Sequence, residues 1–158
     1  MKLTLPVISA IASVALAVSV TAQTADTPPP AYRPGLGDLM TATVQPRHAK
    51  IALAARQRNW AYAAYELHQL DEAFDRVAAQ WPKWQRVRIA ELVENMIREP
   101  IDGLGEAIAT KDDKKFAVAY AVLTDACNAC HQAAGRHLVV IKEPDAGAFG
   151  DQDFSPKP

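Results

Sequence analysis

Two cysteines three positions apart, with histidine directly after the second, carry the chemistry of this chain: Cys127-Asn128-Ala129-Cys130-His131. They are its only two cysteines. This C-x-x-C-H spacing is the attachment signal for c-type haem. Each thiol can add across one porphyrin vinyl group to give a thioether. The histidine is then held beside the ring, where its imidazole can bind iron. Other chemistries use the same residue types. A thioredoxin-like dithiol needs a βαβ setting, whereas the flanks here read as helix. A disulfide within one helical turn sets its Cβ vectors poorly. Zinc needs more ligands, and there is no second C-x-x-C and no H-x-x-x-H. Haem uses all three residues at once.

The elements that must position this motif are helical. Leu36, Met40, Val44, Ile51 and Ala55 recur at helical spacing over residues 37–57, with Arg47 interrupting the stripe. Pro46 lies inside that segment and should kink or divide it. Asn59 is a good N-cap for a second helix. Its stripe runs through Trp60, Ala63, Leu67, Leu70, Phe74, Val77 and Trp81, and Pro82 ends it. A third helix is predicted over residues 83–110, with Pro100, Gly103 and Gly105 weakening its second half and a bend near Glu99. Asp112 or Asp113 caps the fourth, whose face carries Phe116, Ala119, Tyr120, Leu123, Ala126, Cys127 and Cys130. Gly135 is its natural C-cap. Four amphipathic helices on short connections make an all-α, antiparallel four-helix bundle over residues 36–136 the expected fold. Residues 137–158 read as an extended tail packed over one end of the bundle, shielding a haem edge.

With the motif near the C-terminal end of the last of four helices, the chain resembles the class II c-type cytochromes, the cytochrome c′ family and its six-coordinate relatives. The likeness covers residues 36–136, and only Cys127, Cys130 and His131 are specific to it. It implies one covalent haem c, held by Cys127 and Cys130, with His131 as proximal iron ligand. In that family the haem lies between the first and last helices, and low-spin members present a methionine early in the first. Met40 falls at that place, so the resemblance implies Met40 as distal ligand. The high-spin branch puts an apolar blocker there and leaves iron five-coordinate. That branch also carries an aromatic and a basic residue three and four positions after the histidine, where this chain has Ala134 and Gly135.

His48 is the alternative to Met40. It lies eight residues on, about 12 Å along an unbroken helix, so both cannot bind one iron. His48 or Arg47 could instead reach a haem propionate. His68, Met96 and His137 are weaker candidates, and the charged turn around Lys111–Lys115 reads as solvated. Six-coordinate iron makes the expected role electron transfer to redox partner proteins, with no enzymatic step. A five-coordinate gas-binding protein for NO or CO is the alternative, and a peroxidase would need acid–base groups that only the Arg47–His48 pair resembles.

The chain is long enough for one core, at 158 residues. A formal charge of −1, without a phosphate loop or clustered basic patch, gives no footing for nucleic acid. Lys2, the apolar run over residues 7–20 and Val20-Thr21-Ala22 read as a secretory signal peptide cleaved after residue 22, rather than a retained membrane anchor, for which the run is short. Its removal leaves no membrane span and takes the charge from −1 to −2. Residues 23–35 are a Pro-rich leader. The expected location is the periplasm, where c-type haem is attached in bacteria. A homodimer is among the states the resemblance allows.

Overall fold

The computed structural model describes residues 32–157. The expected signal peptide and residues 23–31 of the leader lie outside them. Seven helical elements follow: α1 (Leu36–Leu39), a π-helical turn π1 (Met40–Val44), α2 (Gln45–Arg56), α3 (Trp60–Gln80), α4 (Ile89–Met96), α5 (Arg98–Thr110) and α6 (Asp113–Ala133). Among the described residues there is no strand, only an isolated antiparallel bridge between Trp84 and Val87. The elements make four rods: α1–π1–α2, α3, α4–α5 and α6. They share one apolar core reaching from Leu39 to Phe154, as a helical bundle does. Among the described residues no helix is long and apolar enough to cross a membrane.

Pro46 does not divide the first rod. In α geometry its ring would press on the Ala42 carbonyl, and it has no N–H to donate there. The ladder widens instead, and the Gln45 N–H reaches the Met40 carbonyl five residues back. Thr41 and Thr43 turn their hydroxyls onto the carbonyls of Gly37 (2.9 Å) and Leu39 (2.5 Å). Such back-bonding loosens a helix locally. The π turn therefore begins at Met40.

Asn59 caps α3 as expected, its Oδ1 accepting the Tyr62 N–H at 3.1 Å. Ala63, Leu67, Leu70, Phe74 and Val77 are buried along it. So is Glu66, at 0% exposure. The Arg47 guanidinium reaches Glu66 Oε2 at 2.8 Å, and the Tyr62 hydroxyl donates to Oε1. The residue that breaks the first rod's apolar stripe thus partners one that breaks the second's.

The third rod starts at Ile89, six residues later than the sequence suggests. Residues 82–88 form a tight turn instead. Trp84 and Val87 exchange both backbone hydrogen bonds at 2.9 Å, and Gln85 adopts a left-handed φ of 52°. The Arg136 guanidinium lies 4.2 Å over the Trp84 ring, which holds this turn against the end of α6. The rod breaks at Ile97, between α4 and α5. Pro100 cannot donate to the Met96 carbonyl, so the break comes just before it. Arg98 then ties α5 to α3 through Asp71 and Asp75.

Asp112 caps α6, accepting the N–H groups of Lys114 (2.8 Å) and Lys115 (3.0 Å), and these bonds lower its pKa. At the other end Gly135 takes φ 70°. Its N–H bonds the Gln132 carbonyl (3.0 Å) and the Arg136 N–H bonds the His131 carbonyl (2.6 Å), a Schellman closure. The tail does not cap one end of the bundle. It leaves the motif, meets Arg56 through Glu143 (2.8 Å), and ends with the Phe154 and Ser155 carbonyls accepting from Asn59 (both 3.2 Å). Phe154 is buried beside Tyr62 and anchors this run along the molecule.

Candidate functional site

Cys127 and Cys130 lie in the penultimate and last turns of α6 and belong to the apolar core. Both are free thiols. Burial pushes the Cys127 thiol up to about 12 and raises Cys130 as well. A redox dithiol needs the opposite environment, one that lowers a thiol pKa. Among the described residues no three His, Cys, Asp or Glu side chains converge as a metal cage.

His131, one residue beyond, is half-buried. Its Nδ1 lies 3.0 Å from the Val139 carbonyl oxygen. A carbonyl only accepts, so Nδ1 carries the proton and Nε2 keeps its lone pair. Asn128, between the cysteines, holds the same tail segment. Its Oδ1 accepts the Ile141 N–H at 2.7 Å, and its Nδ2 donates to the Ile141 carbonyl at 2.9 Å.

Met40 comes to the motif from the first rod. With Cys127, Cys130, His131, Val139 and Ile141 it lines one apolar cavity of about 60 Å³, closed below by Val44, Phe74 and Ile97. A second cavity of about 280 Å³ shares Met40, Phe74, Cys130, His131 and Val139 and extends past Trp84. The structure thus brings all five residues named from sequence to the border of space lined chiefly by hydrocarbon.

The fifth, His48, also borders the smaller cavity but is otherwise engaged. It is buried. The Thr124 hydroxyl donates to the Tyr120 carbonyl (2.9 Å), so it accepts from His48 Nε2–H at 3.0 Å. Nδ1 lies against the Tyr120 hydroxyl, also at 3.0 Å, and that hydroxyl donates to the His48 backbone carbonyl at 3.0 Å. Burial lowers the His48 pKa to about 4 and raises that of Tyr120. Arg47 is turned to Glu66. His68 is exposed beside Glu72 (3.4 Å), and neither it, Met96 nor His137 borders these cavities.

Sequence reasoning missed four partners: Asn128, Val139, Tyr120 and Thr124. Asn128 left a trace, since asparagine inside a helix is costly unless its side chain has work elsewhere. Tyr120 and Thr124 are four apart on α6 and so share a face. Val139 acts through its backbone and leaves no trace in its residue type. No family model, no curated protein and no solved structure matches this chain.

Proposed function

We propose that this chain is an exported mono-haem c-type cytochrome that transfers electrons. The observation that carries the reading is the shared cavity: Cys127, Cys130, His131 and Met40, two thiols, an imidazole and a thioether, border one apolar space. That donor set fits covalently held haem, with Cys127 and Cys130 as thioether anchors and His131 Nε2 as proximal ligand. Bound haem would supply a one-electron iron couple. The chain's own residues do the rest. Cys127 and Cys130 fix the group to α6, the Val139 carbonyl keeps the lone pair of His131 at Nε2, and the apolar lining excludes water.

Met40 is the distal ligand in this reading. Its thioether favours the ferrous state and raises the potential relative to a second histidine. Met40 is also the first residue of π1, and π turns recur at functional sites because they re-aim one side chain. His48 gives way to it, since both its ring nitrogens are already hydrogen-bonded. The antiparallel bundle belongs to the same proposal. Met40 meets the motif at one end of the first rod, and Arg58 pairs with Asp113 (2.6 Å) at the other. Export to the periplasm by residues 1–22 and docking to redox partner proteins complete it, with no substrate bond made or broken.

The test is the absorption and magnetic circular dichroism of protein matured with a cytochrome c assembly system, with and without carbon monoxide. Low-spin His/Met iron that binds CO slowly supports electron transfer. High-spin iron that binds CO at once replaces this reading with the five-coordinate, gas-binding one.

A further inference from the structure

The side chain between the two cysteines points to a task that haem attachment does not require. Asn128 sits inside α6, where asparagine is a poorer helix former than alanine. Its carboxamide takes both backbone groups of Ile141, the N–H at 2.7 Å and the carbonyl at 2.9 Å. A side-chain amide thereby imitates the edge of a neighbouring strand.

The spacing makes this pairing matter for His131. In extended chain, residues two apart turn their hydrogen-bonding groups to the same edge. Fixing Ile141 on α6 therefore turns the Val139 carbonyl toward the helix as well. His131 lies three residues beyond Asn128, about 4.5 Å along the axis, while Val139 lies two residues back from Ile141, about 6.6 Å along the tail. The two steps run in opposite directions and match within the reach of an imidazole. The result is the 3.0 Å contact between His131 Nδ1 and the Val139 oxygen. The connection is held independently. Gly135 and Arg136 close the helix, the Val139 N–H bonds the Arg136 carbonyl at 2.9 Å, and Arg136 lies over Trp84.

We infer that Asn128 is a positioning residue. It straps tail residues 139–141 to α6 so that the Val139 carbonyl holds His131 in the Nδ1–H form, with Nε2 free for iron. This rests on the haem reading only for what Nε2 then binds. A histidine that donates its second N–H to a carbonyl is a more basic ligand. The strap therefore favours ferric iron, opposing the thioether of Met40.

The test compares wild type with Asn128→Ala and Asn128→Asp, the latter keeping the acceptor for the Ile141 N–H. In the full chain made without haem, nitrogen NMR of the His131 ring and amide exchange at Ile141 are read directly. Asn128→Ala should speed Ile141 exchange at least about tenfold and leave His131 a mixture of its two neutral tautomers, with Asn128→Asp in between. In the haem-bearing protein, Asn128→Ala should move the ferrous-to-ferric ratio about tenfold toward ferrous, a rise of about 59 mV for one electron. Unchanged tautomer or unchanged Ile141 exchange in Asn128→Ala overturns the strap, and so does faster exchange with an unchanged potential. Wild type that takes up no haem overturns the proposed function alone, because tautomer and exchange still decide the strap.

Discussion

The Tyr120 hydroxyl lies 3.0 Å from Nδ1 of His48 and 3.0 Å from the same residue's backbone carbonyl. With Thr124 on the other nitrogen, His48 is held as a buried, neutral member of the core. A histidine can bind iron only through a nitrogen with a free lone pair, and here both ring nitrogens are engaged by hydroxyls. Both hydroxyls come from α6, far along the chain from His48.

Met40→Ala in the haem-bearing protein should convert low-spin iron to high spin and speed CO binding. His48→Gln should leave the low-spin spectrum in place. Visible spectra of the two variants check this together. A low-spin spectrum retained in Met40→Ala and lost in His48→Gln would reverse the assignment.

His48 also sets a pH dependence. Its pKa falls from 6.5 to about 4 through burial. As pH drops below 6.5, the unfolded chain takes up a proton there and the folded chain does not. Unfolding then gains protons, so stability that is full above this range is lost as pH falls toward about 4, by up to ~3 kcal/mol. Urea midpoints across this range should slope in wild type, and that part of the slope should vanish in His48→Gln. Parallel slopes would show His48 solvated.

Glu66→Ala should cost about 2–3 kcal/mol, because it deprives Arg47 and the Tyr62 hydroxyl of their shared acceptor. Replacing both members, Arg47→Leu with Glu66→Leu, should recover much of the loss, since an apolar pair leaves no uncompensated charge. Denaturant unfolding of the single and double variants measures the coupling. Additive costs would mean that the pair does not interact.

Gly135→Ala should lower stability by about 1–2 kcal/mol, because φ 70° puts a Cβ against the adjoining backbone. The Schellman closure at His131 and Arg136 weakens with it. Thermal unfolding should fall by several degrees. An unchanged midpoint would mean the helix end re-forms in right-handed geometry.

Much of this was legible in the chain. Apolar spacing gave four rods, Asn59 gave one helix start, the Asp112–Asp113 pair gave another that the structure resolves to Asp112, and Gly135 gave the last stop. The site residues with telling chemistry, Cys127, Cys130 and His131, stood out by type and spacing. Met40 could be named only through the resemblance, because a methionine on an apolar stripe is ordinarily core. Where the reading went astray, long-range contact decided. Residues 83–88 carry no helix breaker after Pro82, yet the Trp84–Val87 turn forms there and packs under Arg136, far along the chain. Arg47 looked like a flaw in the first stripe, and it is intelligible only beside the buried Glu66. The tail's path was hidden for a related reason: its anchors at Val139 and Ile141 are backbone groups, which every sequence supplies.

The most direct measurement is the intact mass and visible spectrum of the mature protein after denaturation, expressed beside working haem-attachment machinery. The account predicts a mass of the cleaved polypeptide plus one haem, with colour that stays on the unfolded chain and is lost in a Cys127→Ala, Cys130→Ala double variant. A colourless chain with the mass of polypeptide alone would contradict it.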